Sequence, residues 1–190
     1  KYGWTQIIGL NWNAAVNTSV WEGDALVPVA NASNLRIHKP ATLTLPSDAE
    51  LTVSGNTDIK PVNGLILESD AAGTGSLITG TATGTAMVQR YMTTDAWHIV
   101  SSPVSGQSIS GFLSANATIA VSQDDSFRGM MDYNPDLNEW NAYFTNATGG
   151  NLATGKGYSL RTSANSAVSF SGNIQAGNLS STSHIAEKCF

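Results

Sequence analysis

A chain of 190 residues is long enough to bury a genuine core as one large domain or two small ones, and its 41% hydrophobic content excludes global disorder. Only 12% of its residues are Asp, Glu, Lys or Arg, about half the usual share, which argues against a long-helix protein and for a turn-rich β protein with a neutral polar surface. A formal charge of −5 with nine scattered basic residues gives no electrostatic reason to expect nucleic acid or an anionic membrane as a partner.

No apolar run reaches the ~18–20 residues that a membrane span needs. No signal peptide is read at Lys1, which leads directly into a Trp-containing strand pattern, and a mature secreted protein would look the same once its leader had been removed. Cys189 is the sole cysteine; it excludes an internal disulfide framework and reads as an incidental thiol. The Asn-x-Ser/Thr sequons at Asn17, Asn31, Asn116, Asn146 and Asn178 matter only in a eukaryotic secretory host.

Trp4, Trp12 and Trp21 lie close together among the turn formers Asn11, Asn13, Asn17 and Gly23. Aromatic anchors between such residues predict short strands that cap a hydrophobic end. The sharper alternative is a row of indoles stacking on sugar rings, which makes Trp4, Trp12 and Trp21 candidate glycan-binding residues.

From residue 35 the pattern becomes regular, with the apolar pairs Leu35/Ile37, Leu43/Leu45, Leu51/Val53 and Leu65/Leu67, then Leu77 or Ile78. The first three pairs start eight residues apart, and Pro46, Gly55, Asn56, Pro61, Asn63, Gly64 and Gly73 break the run between them. Strands this short cannot bury a face alone, so they are expected to stack as successive rungs of a β-solenoid. An antiparallel sandwich with short hairpins is the alternative. Solenoid ends need covering, which gives the Trp-rich N-terminus a structural task.

After Gly84 a longer strand is expected over 86–92, then a turn, a strand over 96–101 and a stop at Pro103 and Gly106. Trp97 and Ile99, two apart, are expected on one packed side. With Trp140, Trp97 reads as a core residue, so that Trp97→Ala should cost roughly 3–5 kcal/mol. A single helical turn over 109–113 is expected, capped by Ser108 or Ser110 and weakened by Gly111. Residues 130–133 and 139–143 should form a hairpin about Asn134-Pro135-Asp136-Leu137-Asn138, followed by strands over 157–162 and 167–172. No 3.6-residue period is sustained anywhere, so the second half is expected to be a β-sandwich or jelly-roll-like fold. The whole is predicted to be all-β, with a Trp-rich cap and β-solenoid-like rungs over 1–85, a sandwich module over 86–177 and a variable tail over 178–190.

The segments Gln89-Arg90-Tyr91-Met92, Ala96-Trp97-His98-Ile99-Val100-Ser101-Ser102-Pro103-Val104 and Gly155-Lys156-Gly157-Tyr158 occur in that order, in a pattern that covers about residues 90–177. Together they resemble a recurring module of Bacteroidota cell-surface and secreted proteins, often large, adhesin-like and exported by the type IX route. The stretch over 66–78 looks like the solenoid end that commonly precedes this module. The resemblance implies a β-rich extracellular module without a generally assigned activity. The sorting domain usual in such proteins is not visible after Gly177, which leaves the export route open.

Three motifs bear on chemistry. Residues 150–157 nearly match a phosphate-binding loop, but Gly157 stands where Ser or Thr should follow Lys156, and the segment beyond reads as strand. Asp132, Asn134, Asp136 and Asn138 have the alternate-residue oxygen spacing of a calcium loop and are the candidate ligands of a possible calcium ion. Leu137 and Tyr143 occupy the positions where such a loop carries Gly and Glu, so a hairpin turn and a glycosidase carboxylate pair are the alternative readings. His98 with Ser101 and Ser102 lacks a nucleophile elbow, and His38 and His184 are too isolated for zinc. No catalytic residue and no required cofactor is therefore expected. The chain reads as a non-catalytic extracellular structural or adhesive module of a bacterial surface protein or filament, associating with neighbouring domains or copies of itself. A carbohydrate-binding module is the alternative, and polysaccharide cleavage a distant third.

Overall fold

The computed structural model describes residues 11–13, 29–94 and 96–176, which are mostly β with one short helix. Strands β1 (Asn11–Asn13), β2 (Val29–Ala32), β3 (Leu35–Ile37), β4 (Thr42–Leu45), β5 (Glu50–Ile59), β6 (Leu65–Leu67), β7 (Ser76–Thr83) and β8 (Thr85–Met92) form the first half. Both β2 and β3 pair in parallel with β5, β5 with β7, β4 with β6, and β6 with β8. Leu43 lies opposite Leu65 and Leu65 opposite Ala86; Leu45, Leu67 and Val88 follow the same path. Each layer therefore returns after 21 or 22 residues along this sheet.

The spacing of eight seen in the sequence is not the layer spacing. It separates consecutive strand segments within one circuit, because three short segments with their corners must pass before the chain lies alongside itself. Within each segment the alternation behaves as expected: Ile37, Leu43, Leu45, Leu51, Val53 and Leu65 are buried. Polar side chains between them tie one layer to the next. Asn34 Oδ1 accepts from the Asn56 amide at 3.0 Å, and Thr81 Oγ1 donates to Asn56 Oδ1 at 3.0 Å. The corner at Gly84 has φ +96°, and a Cβ there would sit 2.0 Å from the Ile59 carbonyl oxygen, so glycine is required.

Asp58 is the ionic counterpart of these ladders. Arg36 Nε and Lys60 Nζ approach its carboxylate at 2.8 and 2.9 Å, and Thr83 Oγ1 donates to it at 3.2 Å. Foremost through the Lys60 hydrogen bond, and against the opposing effect of burial, the carboxyl is held below its usual value of 3.8. The unfolded chain takes up this proton first as pH falls. The contribution is thus fully present above about pH 4 and is lost as pH drops through the lower folded-state value. Asp58→Asn is expected to lower the melting temperature at neutral pH and to flatten its decline below about pH 4. An acid limb as steep as that of the wild type would show that these contacts contribute nothing.

Both ends of the first sheet carry antiparallel strands. Strand β1 pairs with β4, placing Trp12 opposite Leu43. At the other side β14 (Ser166–Ile174) pairs with β8 over its full length, and β10 (Val104–Ser105) with β14. The resulting order β1-β4-β6-β8-β14-β10 is one sheet that continues across residues 85 and 86. A strand laid on a last parallel layer satisfies backbone groups that would otherwise be left as an open edge.

A second antiparallel sheet contains β12 (Glu139–Trp140), β11 (Met130–Asn134), β13 (Tyr158–Leu160) and β9 (His98–Val100), in that order. Helix α1 (Ile109–Ala115) runs two residues further than the sequence pattern suggests; Ser108 Oγ caps it by accepting from the Gly111 amide at 3.1 Å. Residues of α1, of β14 and of the second sheet fill one core, with Phe112 stacked on Phe170 at 4.7 Å. Val88 packs against both this core and that of the parallel layers.

Candidate functional site

Strand alternation places Met130, Leu160 and His98 in one row across β11, β13 and β9, and Met131, Ser159 and Ile99 in the next. Met130 and Leu160 are fully buried, so their row takes the core side and Ile99 is turned outward. The expectation that Trp97 and Ile99 face a packed interior is therefore corrected: Trp97 is 42% exposed and Ile99 is exposed as well. Trp140, also expected in the core, is 47% exposed. Parity along the strand is right, but the side that faces the core is set by the neighbouring strands.

The exposed side chains are not scattered. Trp97 stacks on Tyr143 with centroids 5.9 Å apart and planes at 28°, and Phe127 lies 6.5 Å from Tyr143. Tyr133 meets Trp140 edge-on at 5.4 Å across the β11/β12 pair. Sequence reasoning missed this face, although one signal was present. Strands over 97–100 and 130–133 carry large apolar residues on both parities, the mark of a sheet with work for both faces.

The candidate glycan residues Trp4 and Trp21 lie outside the described residues. Trp12 is placed by its backbone at the β4 edge. Three of the four candidate calcium ligands, Asp132, Asn134 and Asn138, are engaged with other partners. Asp132 is 8% exposed, with Lys156 Nζ on Oδ2 and Asn141 Nδ2 donating to Oδ1 at 3.0 Å. Burial raises the Asp132 carboxyl, yet the hydrogen bonds from Lys156 and Asn141 and the Lys156 charge outweigh it, and its pKa is lowered. Asn134 Oδ1 accepts from the amides of Asp136 and Leu137 at 3.0 and 3.3 Å, and Asn138, at φ +54°, accepts from the Tyr133 hydroxyl. These are the contacts of a hairpin turn, with an ammonium as the cation at Asp132. Among the described residues no group of three or more His, Cys, Asp or Glu gathers.

Lys156 also settles the fate of the phosphate-loop resemblance. Tyr158, two residues on, starts a strand, and Lys156 Nζ lies 5.8 Å from the Tyr158 ring centroid. Asp124 belongs to a local turn, its carboxyl pushed down to about 2 by hydrogen bonds from Ser122 and then Ser126. A shallow polar depression lined by Asp70, Thr74, Arg90 and Tyr91 holds groups that already have partners: Ser47 and the Ala72 amide on Asp70, and Thr74 on Arg90.

A family model described as a domain of unknown function, DUF8693, matches residues 10–188. No curated protein and no solved structure matches the chain.

Proposed function

The chain belongs to the DUF8693 family, and we propose that it is a non-catalytic extracellular module, structural and adhesive, of a bacterial surface protein or filament. In this reading the parallel layers are a short β-solenoid-like spacer over 1–85, and the antiparallel part over 86–177 is a sandwich-like unit that presents a contact face. The observation that carries it is a pair of exposed aromatic clusters, Trp97 with Tyr143 and Phe127, and Tyr133 with Trp140. Apolar surface left in water forgoes about 25 cal/mol per Å² of burial, and clustered exposed aromatics mark an interaction surface. The acids Asp124, Asp125, Asp136 and Glu139 occur in the same stretch of chain as these aromatics, which disfavours anionic partners. The partners proposed are copies of the chain or neighbouring surface-protein domains.

A neutral glycan is the second reading, favoured by the exposure of two indoles at Trp97 and Trp140. One experiment addresses both. Trp97→Ala combined with Tyr143→Ala is expected to weaken self-association in light scattering at least tenfold, about 1.4 kcal/mol. On the second reading it abolishes retention on a glycan array instead. The same pair should cost about 0.5–1.5 kcal/mol of stability, the scale of an aromatic contact at the surface. A wild-type chain that stays monomeric at high concentration and binds no glycan sinks the adhesive reading.

A further inference from the structure

We infer that Lys156 and Asn141 become joined by an intramolecular amide bond in the folded chain, with Asp132 as the proton-transfer residue. The inference is independent of the adhesive reading. Asp132 sits on β11 between two flanking segments. On one side the Asn141 amide donates to the Asp132 carbonyl at 2.9 Å, and on the other Tyr158 pairs with Asp132, bringing Lys156 alongside. The two oxygens of one carboxylate thereby hold an amine and a carboxamide: Lys156 Nζ on Oδ2, Asn141 Nδ2 on Oδ1. Gly155, at φ +76°, makes the turn from which Lys156 reaches back. Nucleophile, acyl group and acid–base residue thus meet at one buried carboxylate, with Asn141 and Lys156 themselves exposed and Lys156 Nζ near the Tyr158 ring.

Two reactants held side by side gain up to an effective concentration of about 10⁵–10⁸ M once their reacting atoms are aligned. A reaction that occurs once per molecule needs no rapid turnover. Lys156 passes a proton from its ammonium to Asp132, and the neutral amine attacks Cγ of Asn141, forming the new C–N bond. Asp132 returns its proton to Nδ2, the Cγ–Nδ2 bond breaks, and ammonia departs, carrying off the remaining proton of the amine as ammonium. Nothing is oxidised or reduced. Lys156 is half exposed, so the released ammonia has a path to solvent. Asn141 is the acyl group rather than Asp132 because Asp132 is the residue that takes up the amine's proton and returns it to Nδ2.

Intact-mass spectrometry of the purified wild-type chain is expected to give a mass lower than that of the sequence by one ammonia. A digest should yield the Asn141 and Lys156 peptides as one linked species. Asn141→Asp keeps the shape of the side chain and is expected to lose one water instead, with the same link. Lys156→Arg and Asp132→Ala should retain the full sequence mass. An unshifted wild-type mass overturns the inference without reference to any variant. A wild-type loss of water overturns it by placing the acyl group on Asp132, and an ammonia loss that survives Lys156→Arg overturns it by pointing to a cyclised asparagine.

Discussion

Phe112→Ala is expected to lower stability by about 3–5 kcal/mol, the cost of deleting a fully buried aromatic side chain. Phe112 is fully buried and its ring stacks on Phe170 with planes at 24°. Phe170 lies on β14, opposite Val88 of β8, so the ring pair fastens the helix to the strand that lies along the last parallel layer. Helix α1 has seven residues, too few to persist on its own propensity, so its tertiary contacts must hold it in place. Its other buried anchors, Ile109 and Leu113, are smaller. Denaturant unfolding of wild type and variant checks the value. A loss below about 1 kcal/mol would show that the helix is not an integral part of this core.

Leu65→Ala is expected to cost about 2–5 kcal/mol. Leu65 belongs to the middle layer, with Leu43 opposite it on one side and Ala86 on the other, all three buried. Ala86 has no side-chain length with which to fill the space, and Leu43 is tied into its own strand by β1 and β6. The cavity should therefore persist, placing the cost toward the upper part of that range. On the proposed solenoid-like reading the layers should also lose cooperativity with one another, as nearest-neighbour stacking implies. Hydrogen exchange in β4 and β6 is the second readout: protection should fall there more than in β11 or β13, and a uniform loss would contradict the layered account.

Much of the first half was legible as pattern. Leu35/Ile37, Leu43/Leu45, Leu51/Val53 and Leu65/Leu67 all point inward, since a strand with a two-residue period leaves an alternating pair no other way to be buried together. What the pattern did not contain was the identity of the partner strand. Pairing is a contact between residues some 22 apart along the first sheet, and a local window sees only the spacing of eight between successive segments. For the same reason a strand over 167–172 could be expected from its own residues, while its place along β8 could not.

The candidate site divides along the same line. Composition and alternation determined that this is a β protein with little charge, that Trp97 and Ile99 share a side, and that residues 134–138 turn the chain; each follows from the backbone preferences of neighbouring residues. Only the tertiary structure decided that the shared side of Trp97 faces water, because Met130 and Leu160 on the adjoining strands claim the core. It likewise decided that the oxygens of Asp132 meet Lys156 and Asn141 rather than the alternate residues of its own loop. An ammonium brought in from the turn before another strand neutralises a buried carboxylate, and no spacing along one strand could reveal its arrival.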